Sequence, residues 1–394
     1  MSGEFISFLD FSHFLRYTIQ RILTICERKI SVLLYCDQAA AMRIDEEVLT
    51  FYTHACRIAS ANQEALHQEA REVRKALEAA GEELAREVTG GDDFTVCWAD
   101  SGTGIFNLLF STGIFHNRHI LTSRLEHPAL EAQLRRSGSQ ITYAPCDRQG
   151  KVRKVQGDFG FAALTAVQSE LGTIQDLPEL FADLPEDCIR FADAVQMAGK
   201  LPMQELSSSA DLLALSGIKF GSPGGAALLV RKNTPWSKKF LNAVEKARHP
   251  DYVVPRVFPP AALSCAYAFH ARQEVLEVSL QKQRALNLFL RQALKSKEIL
   301  FSVPENESSP YILHCFLPGK QGAVVLRQLS ERQIFAGSGS ACAAESAAGS
   351  PALRALGYSK KESFSGLRLS FGFDFSREQA EFLAENLLSV LKNY

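Results

Sequence analysis

From about residue 45 to residue 230, short apolar runs alternate with stretches of helical periodicity. The runs have the length of β-strands, and the connections between them can each hold a helix. This alternation is typical of a mostly parallel sheet covered by helices on both faces. We predict seven strands in the sheet: Thr95 to Trp98, His119 to Ser123, Gln140 to Ala144, Ala163 to Val167, Cys188 to Asp193, Leu212 to Ser216 and Ala226 to Arg231.

The segment after His67 shows the helical pattern clearly. Its apolar side chains recur at spacings of four and seven residues, and Gly90-Gly91 ends the run. The predicted buried face of this helix consists of Val73, Leu77, Leu84 and Val88.

The pattern changes towards the C-terminal part of the chain. A helical stretch from about 262 to 296 precedes a strand near Tyr311 to Phe316 and a helix near Gly322 to Arg332. Ser376 and Gln379 have the spacing of a capping box. The helix they open carries a predicted apolar stripe of Phe382, Leu383, Leu387, Leu388 and Leu391. We predict a small α+β domain from residues 31–47 and 276–394, beside a large domain of residues 48–275.

Residues 1–30 are rich in apolar side chains, but Asp10, Arg16, Arg21 and Glu27 interrupt them. A membrane span needs about 20 nearly uninterrupted apolar residues. The charge and cleavage pattern of a signal peptide is also missing. We therefore predict an N-terminal helical extension and no membrane span.

Composition narrows the function further. The chain has 394 residues, 46% of them hydrophobic and 22% charged, with a net charge of -1. This is the composition of a soluble globular protein, and it gives no general electrostatic reason to expect a nucleic-acid partner. Nine cysteines without a CxxC pair argue against a disulfide framework or a metal cluster and favour a cytoplasmic location.

Lys219 stands between an apolar strand and a glycine-rich turn, in Leu-Ser-Gly-Ile-Lys-Phe-Gly-Ser-Pro-Gly-Gly. This is a poor place for a solvated surface charge, and such a lysine can be held near a pKa suited to Schiff-base chemistry. A lysine whose charged end reaches solvent from a strand end would look the same. Lys219 therefore needs support from other residues.

Asp193 and Gln196 provide that support. Asp193 ends an apolar strand, and the amide of Gln196 follows three residues later. A pyridine-ring cofactor needs an anion to keep its ring nitrogen protonated, and Gln196 could then bind the phenolic oxygen of the ring. The alternative role for Asp193 is a helix N-cap.

A phosphate group needs backbone N–H groups and hydroxyls at the start of a helix. Asp100-Ser-Gly-Thr103-Gly104, before the apolar run from Ile105 to Phe110, offers both. A glycine turn that leads into any other helix would look similar.

These motifs form an ordered series that resembles the cysteine desulfurases, within the class V aminotransferase fold family. The likeness runs from about Tyr35 to the C-terminus and implies a type I pyridoxal-phosphate-dependent transferase fold. The motifs that carry it are Ser101-Gly-Thr-Gly, Glu126-His127-Pro-Ala, Ser169-Glu170-Leu-Gly, Asp193-Ala-Val-Gln196, Ser216-Gly-Ile-Lys219 and Gly339-Ser-Ala-Cys342.

The resemblance implies that Lys219 forms the Schiff base with pyridoxal 5'-phosphate and that His127 stacks on the cofactor ring and relays protons. It implies phosphate contacts from Ser216 and from the Thr103-Gly104 turn. Ser169 stands beside the cofactor and the substrate in this comparison.

Arg368 matches the position that grips the substrate carboxylate. Strand periodicity agrees, because Leu367, Leu369 and Phe371 share one face and leave Arg368 and Ser370 on the other. A planar guanidinium suits bidentate binding of a carboxylate. The alternative is a surface arginine in an ion pair.

Cys342 lies in a run of small residues from Ala336 to Ser350, typical of a mobile loop rather than of a buried cysteine among larger neighbours. The run resembles the long catalytic loop of one desulfurase group. The resemblance implies that Cys342 takes the sulfur of L-cysteine as a persulfide, leaving L-alanine. It also implies a homodimer that passes the sulfur to an acceptor protein such as an iron-sulfur scaffold.

Three positions depart from the family pattern. Ser169 replaces the usual asparagine, Ile218 replaces histidine, and Gly104-Ile105 replaces threonine and glutamate. Two other functions stay open: a related carbon-sulfur or carbon-selenium lyase without a protein persulfide, and a catalytically silent homologue that acts as a binding partner.

Overall fold

The computed structural model describes residues 34–248, 251, 256–339 and 349–394. The predicted N-terminal extension and Cys342 lie outside these residues. The described strands are β1 (Leu34–Cys36), β2 (Phe94–Ala99), β3 (His119–Ser123), β4 (Gln140–Ala144), β5 (Phe161–Thr165), β6 (Ile189–Asp193), β7 (Leu212–Ser216), β8 (Ala226–Arg231), β9 (Leu300–Phe301), β10 (Ile312–Phe316), β11 (Ile334–Ala336) and β12 (Gly366–Ser370).

Helices connect these strands and cover them. The described α-helices are α1 (Glu46–Ile58), α2 (Gln68–Thr89), α3 (Gly102–Ser111), α4 (Pro128–Arg136), α5 (Leu177–Ala182), α6 (Gln204–Ser209), α7 (Ser237–Arg248), α8 (Pro259–Glu274), α9 (Leu276–Ala293), α10 (Gly322–Glu331), α11 (Pro351–Ala355) and α12 (Arg377–Lys392). Of the helices in this part of the chain, none has both the length and the apolar character that a membrane crossing requires.

The large sheet has seven strands in the order β2-β8-β7-β6-β5-β3-β4, and only β8 runs against the others. All seven predicted strands are confirmed. The predicted strand at Ala163 to Val167 lies two residues earlier, at Phe161–Thr165, because Val167 instead forms an isolated bridge with Ile174.

Both faces of this sheet are buried. Leu213 and Leu215 of β7 pack in the apolar cluster on one face, whereas Leu212 and Ala214 pack in the cluster on the other. The sequence of a strand that is covered on both faces is a continuous run of apolar residues, and β7 has such a run.

Helix α2 begins and ends as predicted. The His67 ring caps it by accepting a hydrogen bond from the Ala70 N–H, and Gly90 ends it in the left-handed region with φ 75°. The four residues predicted for the inner face are buried: Val73, Leu77, Leu84 and Val88.

Two smaller sheets accompany the large one. Strand β10 lies between β12 and β9 in an antiparallel sheet, and β1 pairs with β11 in parallel. The helical stretch predicted at 262 to 296 is two helices, α8 and α9, with Val275 between them. The predicted division into domains at residues 48 and 276 stays a prediction.

The final helix α12 has the predicted capping box between Ser376 and Gln379. Its predicted stripe is wrong at Phe382 and Leu388, which are 40% and 37% exposed. Positions three and four residues apart share a helix face, so small alanines complete the buried stripe in their place. The buried positions are Ala380, Leu383, Ala384, Leu387, Val390 and Leu391.

Candidate active site

Two neighbouring parallel strands bring polar side chains to one edge of the large sheet. Asp193 is the last residue of β6 and Ser216 the last residue of β7. Ligands of such sheets bind outside the carboxyl ends of the strands. A pocket of about 200 Å³ lies at this edge, and the predicted site residues that line it are Thr103, His127, Ser169, Asp193, Gln196, Ser216, Lys219 and Arg368.

Lys219 ends a single turn of 3₁₀-helix that follows β7 directly. The Gly217 N–H donates to the Gly225 carbonyl at 2.9 Å. A Cβ on Gly217 would come within 2.5 Å of the Gly224 carbonyl oxygen, so the turn requires glycine there. The turn points the Lys219 amine into the pocket wall, where its Nζ donates to the Ala40 carbonyl.

Asp193 is a buried carboxylate that lines the pocket. Its Oδ1 accepts a hydrogen bond from the Val195 N–H at 3.0 Å. Burial raises the pKa of Asp193 to about 6, against the opposing effects of that hydrogen bond and of Lys219. A carboxylate held in such a pocket gains from a cationic partner. The protonated ring nitrogen of pyridoxal phosphate fits this requirement.

The start of helix α3 faces the same pocket. Ser101 caps the helix, since its Oγ accepts from the Gly104 N–H at 3.1 Å. The N–H groups of Gly102 and Thr103 have no partner within the helix and favour an anion. A Cβ placed on Gly102 would lie 3.5 Å from Cβ of Ser216, so the Ser216 side chain lies next to these N–H groups. The residues present therefore fit a phosphate group.

The predicted contact from Gly104 is not at the pocket wall. Gly104 is buried, and its N–H is used by the Ser101 cap. A Cβ at this position would come within 2.1 Å of Oδ1 of Asp100. Asp100 is exposed, so its side chain can move aside and this contact does not by itself require glycine.

His127 caps helix α4 and also lines the pocket. Its Nδ1 accepts a hydrogen bond from the Ala129 N–H at 3.1 Å, which leaves Nε2 to carry the proton of a neutral imidazole. Burial, and then the Lys219 charge, lower the pKa of His127. The ring is therefore held neutral and can present its Nε2–H group.

Arg368 is fully buried in β12 and is held by two groups. Its Nη1 donates to the Ser169 carbonyl at 2.8 Å, and its Nη2 pairs with Oδ1 of Asp37 at 2.7 Å. Its Nε has no hydrogen-bond partner among the described residues. Asp37 was not predicted from the sequence, although it directly follows the strand β1, as Asp193 ends the strand β6.

A second set of buried residues, around Glu170, was also not predicted from the sequence. Oε1 of Glu170 accepts a hydrogen bond from the Ser350 hydroxyl at 2.5 Å and lies 3.7 Å from Nε2 of His314. Burial raises the pKa of Glu170 to about 7, with Ser350 and Arg368 acting in the opposite direction. Burial and Arg368 lower the pKa of His314 to about 3, so that histidine stays neutral.

The raised pKa of Glu170 predicts a pH-dependent stability. Between the ordinary value of 4.5 and about 7, folded Glu170 binds more protons than unfolded Glu170. Its contribution is thus complete below pH 4.5 and is lost as the pH rises through about 7, by about 3 kcal/mol in total. Glu170→Gln keeps an oxygen acceptor but cannot ionise. We expect the variant to gain stability relative to the wild type by about this amount between roughly pH 4 and pH 8.

The measurement is urea unfolding of both proteins across that pH range. The difference between the two unfolding free energies cancels the contributions of titrating groups that both proteins contain. A difference in unfolding free energy that stays constant with pH would show that Glu170 does not titrate in this way.

Gln196 lies between two partners. Its Nε2 donates to the Ala39 carbonyl at 2.8 Å, and its Oε1 accepts from Nζ of Lys200 at 3.2 Å. Lys200 is buried, and burial lowers its pKa to about 7, with the charges of Lys219 and Arg368 adding to the effect. No role was predicted for Lys200 from the sequence.

The described cysteines make poor nucleophiles for this pocket. Five of the seven are buried, namely Cys36, Cys97, Cys188, Cys265 and Cys315. Burial raises the pKa of the thiol of Cys97 to about 11 and that of Cys265 to about 12, so these thiols stay protonated at neutral pH. Among the described residues, no cysteine lines the pocket.

The fold and the pocket define a class of protein. The chain belongs to the aminotransferase class-V family, whose profile matches residues 34–383. It is 28% identical over 376 residues to a putative cysteine desulfurase IscS 1 of Bacillus subtilis (strain 168), covering 91% of this chain and 98% of the relative. It is 25% identical over 380 residues to the cysteine desulfurase IscS of Dictyoglomus turgidum, covering 91% of this chain and 94% of that relative.

A solved structure of a NifS-like protein matches with a TM-score of 0.77 at 20% identity and covers 92% of this chain and 100% of the solved one. The predicted α/β fold of the type I pyridoxal-phosphate enzymes is confirmed, as is the resemblance to cysteine desulfurases.

Proposed function

We propose that this protein is a pyridoxal-phosphate-dependent cysteine desulfurase that converts L-cysteine to L-alanine and takes up the sulfur on Cys342. The observation that carries the proposal is the meeting of Lys219, the buried Asp193 carboxylate and Arg368 at one pocket. Relatives that bear the name cysteine desulfurase match more than nine-tenths of the chain, which supports the substrate.

The cofactor would be held by residues that surround the pocket. Lys219 would carry it, Asp193 would pair with the ring nitrogen, and Gln196 would face the phenolic oxygen. The N–H groups of Gly102 and Thr103, with the Ser216 hydroxyl, would hold the phosphate. When bound, pyridoxal phosphate supplies an electron sink for the electrons released at the substrate α-carbon.

The protein's own side chains would bind the substrate and move its protons. The guanidinium of Arg368 would bind the cysteine carboxylate, with Ser169 beside it. The unprotonated amine of Lys219 would remove the α-proton. His127 presents a neutral Nε2–H at the pocket wall, which suits it to donating a proton there.

Sulfur transfer would use the thiolate of Cys342, which lies outside the described residues. The thiolate attacks the substrate sulfur, and a sulfur-sulfur bond forms as the carbon-sulfur bond breaks. The electron pair of the broken bond, with a proton, ends on the carbon that becomes the alanine methyl group. We further propose that a cytoplasmic homodimer passes this sulfur to an acceptor such as an iron-sulfur scaffold protein.

The deciding experiment is incubation with L-cysteine followed by mass measurement of the Cys342 peptide. A gain of one sulfur atom, together with L-alanine, supports the desulfurase. Alanine without any gain, with the sulfur released directly as elemental sulfur or, when a thiol reductant is added, as sulfide, would favour the related lyase. A colourless protein that forms no alanine after addition of pyridoxal phosphate would favour the catalytically silent homologue.

Asp193→Asn should separate cofactor chemistry from folding. The amide preserves the shape of the side chain but removes the anion, so the ring nitrogen loses the charge that keeps it protonated. We expect the rate of alanine formation to fall by about 10²- to 10³-fold. Steady-state kinetics would measure this, with cofactor binding checked by absorbance. Asp211→Asn, at another carboxylate near the sheet, is the control. Full activity of Asp193→Asn would contradict the assigned role.

A further inference from the structure

Lys200 is a buried lysine to which the proposed reaction gives no task. Its side chain is 2% exposed, and its described hydrogen bond goes to Oε1 of Gln196. A buried ammonium is costly to keep unless it serves a partner. Lys219 and Arg368 are the charged groups that act on it, and both are cations, so neither repays this cost.

The two neighbours of Gln196 impose the same orientation on its amide. A backbone carbonyl only accepts hydrogen bonds, so the Ala39 oxygen requires the NH₂ end. Nζ of Lys200 donates to the oxygen end, and below its pKa of about 7 the protonated amine can only donate. With one N–H given to Ala39, the second N–H of the Gln196 amide stays available on a residue that lines the pocket.

We propose that Lys200 is a positioning residue that fixes the orientation of the Gln196 amide, so that the pocket presents an N–H donor rather than a carbonyl acceptor. This inference rests on the proposed function and deepens it. The group that the donor would serve is the phenolic oxygen of the bound cofactor.

The consequence is a change in the acid-base behaviour of the cofactor. A hydrogen bond donated to the anionic phenolic oxygen stabilises the deprotonated form and lowers the pKa of the cofactor. Without Lys200, only the Ala39 carbonyl still holds the amide, so the amide turns its oxygen towards the pocket more often and then repels that anion. The pH at which the visible absorption band of the loaded protein changes should then rise.

The test is a pH titration of that band in the full-length protein loaded with pyridoxal phosphate. Lys200→Met keeps the length of the side chain and removes its donors. We expect the midpoint to rise by about one pH unit and the affinity for pyridoxal phosphate, measured by fluorescence, to fall. Lys200→Arg, which can only donate, should restore a midpoint near that of the wild type. Lys232→Met, at an exposed lysine, should leave the midpoint unchanged.

Loss of a nearby positive charge would also raise the midpoint, and a double-mutant cycle separates the two causes. In a Gln196→Leu background no amide remains to be turned. If Lys200 acts through Gln196, adding Lys200→Met to Gln196→Leu produces no further shift. A full additional shift in the double variant would overturn the inference and leave only a direct effect of charge.

Failure of this inference is distinguishable from failure of the proposed function. If the wild type shows no visible band, the proposed function fails. If the wild type shows the band and Lys200→Met titrates with the same midpoint, only the role of Lys200 is refuted. Should Lys200→Met not unfold cooperatively, Lys200→Leu is titrated in its place against the same criterion.

Discussion

Replacement of Lys219 by alanine is expected to abolish the visible band of the cofactor-loaded protein and to reduce alanine formation by about 10⁴-fold or more. The variant loses two functions at once. It has no amine to carry the cofactor and none to take the α-proton. The expected loss therefore exceeds that of Asp193→Asn, which leaves both of those functions in place.

The matched control is Lys232→Ala, which removes an exposed lysine beyond the other end of strand β8. It should retain the band and the rate of the wild type. Because Lys219 Nζ donates to the Ala40 carbonyl, thermal unfolding of the apo variant should accompany the assay. A Lys219→Ala protein that still showed the band would place the cofactor on another amine.

Replacement of Cys342 by alanine carries the second large effect. We expect no sulfur on the peptide that contains this position and a fall in cysteine-dependent sulfide release of about 10³-fold or more. Cofactor binding should not change, since the groups at the pocket remain. The measurements are mass analysis of the peptide and sulfide release in the presence of a thiol reductant.

Cys56→Ala is the control for this experiment. Cys56 is partly exposed, and it does not line the pocket. It should take part neither in sulfur uptake nor in turnover. Full sulfide release by Cys342→Ala would remove the persulfide from the mechanism and favour the lyase, while leaving the cofactor site intact.

The site residues that lie at the ends of strands can be predicted from the sequence. Asp193 and Ser216 each follow a buried apolar run, and parallel strands bring such ends together at one edge. Lys219 can be predicted from the glycine-rich turn that comes directly after β7. These residues are predictable because each lies within a few positions of the pattern that places it.

The groups that we missed depend on partners far away in sequence. Asp37 follows a strand of only three residues, and its partner Arg368 lies 331 positions later. In the sequence, Lys200 looks like an ordinary surface lysine. Only the packing of the folded chain shows that it is buried. Glu170 stands in a motif that we recognised, yet its contact with Ser350 spans 180 positions. Such pairs cannot be identified from the local periodicity of the sequence.

The short segment from Asp37 to Ala40 has a consequence for the order of folding. It contacts Gln196, Lys219 and Arg368 across 157, 179 and 331 positions. Contacts of such sequence separation form slowly, because a large loop must close before any of them is made. During synthesis the large sheet can assemble before β12 has left the ribosome, but the pocket cannot. A newly made chain should therefore acquire its cofactor late, as one of the last steps of its maturation.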